Sequence, residues 1–209
     1  MSTAYSSWVL NVKEEILAVE NASLLAVDWS TGASGPYYSV AAGNTRMVAR
    51  VTAMLVRDLW REKSSFSLDN VHYIGHSLGA QTGGFFGEDI KNFTGGQQVG
   101  RITGLDPAGS VFEENGVYLN KEHAKFVDII HTSAGIFGIT ISSGHVDFYP
   151  NGGSLQPGCG GLDCSHSIAC LYYANSVRTC TYVAERSYNR HSFDKRMRNS
   201  CKKDSHATM

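Results

Sequence analysis

Ser77 stands in Gly75-His76-Ser77-Leu78-Gly79, between the apolar run 71–74 and a segment from Leu78 to about Ile90 with the length and content of a helix. A Gly-x-Ser-x-Gly turn from strand to helix is so sharp that side chains two residues before or after the serine are expected to strike neighbouring backbone. The turn lifts the serine oxygen out of the sheet. It also aims the first helical amides at whatever that oxygen attacks, with the Leu78 N–H placed to bind a developing oxyanion. That is the chemistry of acyl transfer. In a chain with 22 glycines the bare pattern is weak and competes with a plain turn; the strand and helix on either side give it weight.

A hydroxyl becomes a nucleophile beside a base, and the base needs an acid to fix its tautomer and orientation. In chain order the acid and then the histidine are expected after such an elbow. Asp106 directly follows the apolar run Arg101 to Leu105, with Pro107 stiffening the turn; the bland alternative is an Asp-Pro turn. Asp128 lies inside another run and Asp147 among aromatics, so both read as structural. Of the histidines beyond Asp106, His123 falls in a charged stretch expected to be exposed, and His191 and His206 belong to a basic tail. His131 and His145 suit a hydrogen-bonded core or rim. His166 lies beside Cys164, where a short disulfide loop would hold a base rigidly on an otherwise mobile segment, and it ranks first.

The elements that position these groups alternate. Trp8, Val9, Val12 and Ile16 recur at helical spacing, and Leu24 to Val27 reads as a buried strand. After the loop from Gly32 to Ser39, Asn44 or Thr45 can cap a long helix with Met47, Val48, Val51, Leu55 and Leu59 on one face, ending near Trp60. Segments 71–74, 101–105 and 125–131 are strands of buried, parallel character. The alternation predicts an α/β fold, a mainly parallel sheet flanked by helices, with catalytic groups on loops at the strands' carboxyl ends. Neither a repeat nor a linker divides residues 1–209, so one domain is expected.

Composition narrows the partners. The chain has 209 residues, 42% hydrophobic, enough for a real core, and its net charge of -1 argues against a nucleic-acid binder. From Arg186 onward seven Lys/Arg face two Asp; this basic tail is either a solvated end or a contact for an anionic lipid surface. The five cysteines, Cys159, Cys164, Cys170, Cys180 and Cys201, cluster late and in no zinc-ligand spacing, which suggests disulfides around a loop and no metal site. Two sequons, at Asn21 and Asn92, fit glycosylation in the same oxidising context. Met1-Ser2-Thr3-Ala4-Tyr5 opens no signal peptide, and no apolar run approaches membrane-spanning length, so no transmembrane segment is expected.

Several stretches together resemble the animal pancreatic lipase family, which includes neutral lipases and secreted phospholipases A1. They are residues 27–29, 42–46, 75–80, 104–109, 130–132, 144–153 and 164–166, in the family's order. The resemblance implies an α/β-hydrolase fold, a triad of Ser77, Asp106 and His166, and no metal or organic cofactor. It implies a lipid ester substrate met at a membrane or lipid interface, and a secreted, extracellular protein. His76, conserved in the family's elbow, would not be catalytic. The family's lid disulfide maps onto Cys159 and Cys164, with only four residues between them. That short lid and the short loop from Ser133 to Ser143 look like the phospholipases A1, with triacylglycerol hydrolysis as the alternative.

The departures carry expectations too. Upstream of a tryptophan resembling Trp8, the family has a His-Gly-aromatic motif that gives a second oxyanion donor; here it would fall before Met1, with the family's first strands. Loss of one such donor costs about 10² to 10³ in rate. The resemblance therefore implies a domain incomplete at both ends, without the separate C-terminal lipid-binding domain of some members. Its rival from another class is a non-catalytic lipid-binding or yolk-type protein, or an inactive fragment. An odd number of cysteines leaves at least one unpaired or parted from its partner, and Cys170, Cys180 and Cys201 allow three pairings.

Overall fold

Side chains along a strand alternate between faces, and in the central strands of this protein both faces are apolar, so both must be covered. The computed structural model describes residues 6–183 and the backbone of 198–201. Strands β1 (His72–His76), β2 (Arg101–Leu105), β3 (Phe126–Ile130) and β4 (Val146–Phe148) form a four-stranded sheet in that order. Every pairing in it is parallel. Beside the sheet lie α1 (Ser7–Val19), α2 (Ser30–Ala33), α3 (Tyr38–Glu62), α4 (Leu78–Thr94) and α5 (Leu162–Arg178). An antiparallel pair, β5 (Cys180–Val183) and β6 (Arg198–Cys201), follows α5.

The two faces bury different helices. On one, Ile102, Val127 and Ile129 pack with Ala49, Ala53 and Val56 of α3 and Phe85, Phe86 and Ile90 of α4. On the other, Leu105 and Ile130 meet Val12 of α1 and Ala169, Cys170, Tyr173 and Ala174 of α5. Glu15 of α1 takes two hydrogen bonds from Arg178 at the end of α5, at 2.8 and 3.0 Å, which fixes that helix pair. The expected parallel sheet flanked by helices is what the chain forms. Among the described residues no helix is long and apolar enough to cross a membrane.

Three local expectations are corrected. Leu24 to Val27 forms no strand: the segment pairs with no described strand, and Leu24, Leu25 and Val27 are exposed. The long helix starts at Tyr38, six residues before the expected cap region begins, with Tyr37 at its N-cap and no side-chain cap. Its buried face is also the other one, made of Ala41, Ala42, Thr45, Ala49, Ala53 and Val56, while Met47, Val51 and Leu55 are exposed. Arginines explain how so weakly hydrophobic a face can be covered. Arg46 lies over the Phe85 ring at 4.1 Å and Arg57 over Phe93 at 5.2 Å, so their stems complete the seam between α3 and α4. The third correction is α5, a regular helix where a mobile segment is expected. Gly161 caps it without a side-chain bond, leaving Asp163 in the first turn as a weak start signal.

The cysteines sort themselves. Cys159 and Cys164 are joined, Cα to Cα 5.4 Å. Cys180 is disulfide-bonded, and the β5–β6 ladder sets its backbone opposite that of Cys201. Cys170 is buried and free. His191, His206 and most of the basic tail lie outside the described residues.

Candidate active site

The sheet's hydrogen-bond ladder continues one residue past the strands, and this sets the site. Ser77 N–H donates to the Leu105 carbonyl at 3.0 Å, and Asp106 N–H to that of Ile130 at 2.7 Å. Ser77 and Asp106 thus occupy equivalent positions at the carboxyl ends of neighbouring strands. Both have positive φ, 56° and 42°, a region unusual for non-glycine residues and typical of sites where strain serves function. Ser77 is also the N-cap of α4, and among the described residues the Leu78 N–H donates to nothing. The Ser77 hydroxyl likewise makes no hydrogen bond among them.

Only one glycine of the elbow is required by space. A methyl on Gly75 would overlap the Gly79 carbonyl and sit 2.7 Å from Ala80 N, whereas one on Gly79 meets nothing within 4 Å. The expected symmetry of the motif is therefore corrected. Gly75→Ala is expected to cost at least about 3 kcal/mol of stability, while Gly79→Ala in its helical setting stays within about 1 kcal/mol of the parent. Paired urea denaturation curves would measure both. Equal midpoints for the two variants would contradict this.

Asp106 is fully buried and saturated. Its Oδ1 accepts from Thr132 N at 2.7 Å and Ser133 N at 3.0 Å. Its Oδ2 accepts from Ser133 Oγ in a short bond and from His166 Nδ1 at 2.6 Å. Burial alone would raise its pKa, but the hydrogen bonds from His166, Ser133 and Thr132 outweigh that and hold it below the ordinary carboxylate value. Close approach to this carboxylate also explains Gly138, where a methyl would sit 2.6 Å from Oδ1.

His166 arrives from the second turn of α5, two residues beyond the Cys159–Cys164 disulfide. Its backbone carbonyl accepts from His76 Nε2 at 3.0 Å, and the two rings lie 4.5 Å apart. The Phe137 ring also lies 5.4 Å from that of His166. The short loop 133–143 that carries Phe137 is pinned along the chain after Asp106: Gly109 N–H to Phe137 O at 2.7 Å, Ile139 N–H to Pro107 O at 2.9 Å, and Thr140 N–H to Glu113 at 2.8 Å. A cavity of about 630 Å³ opens behind the elbow, lined in part by Trp8, Asn11, His76 and Ser167; Ser77 does not line it.

The remaining candidates lie elsewhere. His131 is wholly buried, stacked 4.3 Å from Tyr149 and bonded to Asp147 at 2.8 Å. Asp147 also accepts from Ser143 and Gly144 N–H groups. Asp128 accepts hydrogen bonds from Arg101 Nε and Nη2, at 2.8 and 2.7 Å. His145 accepts from Val127 N–H at 3.0 Å. His123, expected to be exposed, is instead half-buried: its Nδ1 accepts from Asn120 N–H in a capping box, and burial pushes its pKa down. The sequon residues Asn21 and Asn92 are both exposed, the latter in the last turn of α4.

Comparison with known proteins shows the family. A family model described as Lipase matches residues 1–209. The chain belongs to the lipase family. This lipase-family chain is 41% identical over 182 residues to pancreatic lipase-related protein 2 of Cavia porcellus, covering 82% of the chain and 40% of that protein. It is 36% identical over 191 residues to lipase member H of Mus musculus, covering 85% and 40%, and 36% identical over 204 residues to pancreatic lipase-related protein 2 of Homo sapiens, covering 85% and 42%. The chain spans about two fifths of the length of these relatives.

Burial and the neighbouring His166 push the His76 pKa down to about 4, against the hydrogen bond to the His166 carbonyl and the nearby charge of Asp106, which would raise it. The unfolded chain binds a proton here near pH 6.5 that the fold refuses until about pH 4, so stability falls as pH drops through that window. Asp106 adds to the loss further down, as pH falls from the ordinary carboxylate value through its lowered one. His72, bonded to Thr103 at 2.8 Å and also near pKa 4, shares the first window. His76→Gln, which can still donate to the His166 carbonyl, is expected to lose less stability than the parent between about pH 7 and about pH 4.5 in denaturant titrations. An equal loss in both would contradict the role given to His76.

Proposed function

We propose that this lipase-family chain carries the active site of a serine hydrolase acting on lipid esters, specifically a phospholipase A1 that cleaves the sn-1 acyl ester. The observation that carries the reading is the 2.6 Å bond between His166 Nδ1 and Asp106, beside the strained elbow of Ser77. An ionised Asp106 only accepts, so the proton is on Nδ1 and the Nε2 lone pair is free. Ser77 Oγ attacks the ester carbonyl as His166 Nε2 takes its proton, and the Leu78 N–H receives the oxyanion. Loss of the alcohol, with the proton returned by His166, leaves an acyl-serine that water hydrolyses by the same steps reversed. The Ser77 hydroxyl and His166 Nε2 share no hydrogen bond in this structure, and in hydrolases such a bond is often made only once substrate is bound. No metal or organic cofactor enters any step.

Lipid as the substrate class is supported by exposed apolar side chains: Val111, Phe137 and Leu155 on loops, and Leu162 at the start of the helix that carries His166. The phospholipid preference rests on the short lid, four residues between Cys159 and Cys164, and on the short, pinned loop 133–143, both of which resemble those of the phospholipases A1. An extracellular setting is supported by the disulfides and by the exposed Asn21 and Asn92. Chromatography of products from a phospholipid with distinguishable acyl chains is expected to show sn-1 release. Cleavage of triacylglycerol alone would replace this reading with the triacylglycerol lipase alternative.

A further inference from the structure

We infer that Ser133 is a positioning residue that sets the strength and direction of the Asp106–His166 pair. The inference rests on the triad reading above, but its basis is a separate cluster of contacts. Ser133 touches both partners: its N–H and its hydroxyl donate to the two oxygens of Asp106, and the same Oγ lies 3.3 Å from His166 Nδ1. It is fully buried, so water does not compete for these bonds.

The donor inventory fixes the arrangement. Asp106 only accepts, so the Ser133 hydroxyl proton is committed to Oδ2, the oxygen that also receives His166 Nδ1–H. The Ser133 lone pairs then face Nδ1–H as a second, longer acceptor. A ring flipped to present Nε2 or carbon toward this corner would lose one bond and strain the other. Ser133 therefore holds the imidazole plane and keeps the basic lone pair turned toward Ser77. Its hydroxyl also draws charge from Oδ2, so the carboxylate pulls less strongly on the imidazolium that forms during reaction.

Among the described residues, the other side chains with resolved pKa shifts beside His166 are uncharged near neutrality. They are His76 from β1, with its pKa near 4, and Cys170 one turn along α5, raised to about 12 by burial. Asp106 is the charged partner, and Ser133 is the side-chain hydroxyl that moderates it.

The test compares Ser133→Ala, Ser133→Thr and the parent in two measurements. Without the hydroxyl, the carboxylate becomes the stronger partner of the imidazolium. The acid limb of kcat/KM on a short-chain p-nitrophenyl ester is expected to move up by about one pH unit, with kcat/KM near neutrality falling about tenfold. Ser133→Thr keeps the hydroxyl and is expected to restore the limb. The low-field proton resonance of His166 Nδ1–H, which needs no turnover, is expected to shift or broaden in Ser133→Ala and return in Ser133→Thr. An unmoved limb with uniformly lower activity, or a resonance unchanged in Ser133→Ala, would overturn the inference while leaving the hydrolase reading intact. A parent that folds and shows the resonance but turns over no ester would overturn the hydrolase reading, and the resonance would still decide the role of Ser133.

Discussion

Ser77→Ala is expected to lower kcat on an ester substrate by about 10⁵- to 10⁶-fold, the scale seen when a triad nucleophile is removed. The size follows from what disappears: without Oγ no acyl-serine forms, and water must attack the ester unaided. Stability should hardly change. The hydroxyl makes no hydrogen bond among the described residues, and alanine carries the same Cβ at the same φ of 56°. The unfolding midpoint is therefore expected to stay within about 0.5 kcal/mol of the parent. Activity lost with stability kept separates a nucleophile from a structural serine. A variant that cleaves p-nitrophenyl ester as fast as the parent would remove Ser77 from the mechanism.

Asp106→Asn is expected to cost about 10⁴ in kcat. Oδ1 is held by two backbone N–H groups, from Thr132 and Ser133, so the amide oxygen takes that position and the NH₂ replaces Oδ2. It then points donors at both Ser133 Oγ and His166 Nδ1. His166 must move its proton to Nε2 to accept, and in that tautomer it cannot take one from Ser77. Ser133 must turn its hydroxyl as well. The penalty therefore comes through the wrong tautomer more than through lost packing. Kinetics at several pH values with Ser77 intact would measure it. A loss of less than about tenfold would show that Asp106 does not orient the base.

What can be read from the amino acids alone follows from how local each feature is. Ser77 and Asp106 sit directly after strand runs, so their positions at neighbouring strand ends follow from local pattern plus the parallel ladder. His166 is reached through its neighbour Cys164 and through the resemblance, without the helix that carries it. Residues 169, 170, 173, 174 and 177 do recur on one face of that helix, and this is an available signal. Ser133 and Thr132 have none. They meet Asp106 from 27 and 26 residues away, and nothing nearby in the chain marks either as a donor. His76 is expected only to be non-catalytic, and its bond to the His166 carbonyl spans 90 residues.

The corrected elements share a cause. Hydrophobicity selects one face of α3, yet the interior takes alanines and arginine stems over Phe85 and Phe93, leaving Met47 and Val51 outside. Leu24 to Val27 has the composition of a strand, but a strand exists only where a partner supplies the ladder. Both are decided by neighbours distant in sequence. Gly79 shows the converse, a motif residue whose motif suggests a steric need that the local geometry does not impose.

The most direct test of the proposed chemistry is reaction of the folded chain with a fluorophosphonate probe, followed by mass spectrometric mapping of the adduct. The probe needs an activated serine and no particular lipid, so it isolates the triad from the question of substrate. The geometry of Ser77, Asp106 and His166 predicts a single adduct on Ser77, lost in Ser77→Ala and strongly slowed in Asp106→Asn. A folded chain that never reacts, or one labelled at another residue, would contradict it.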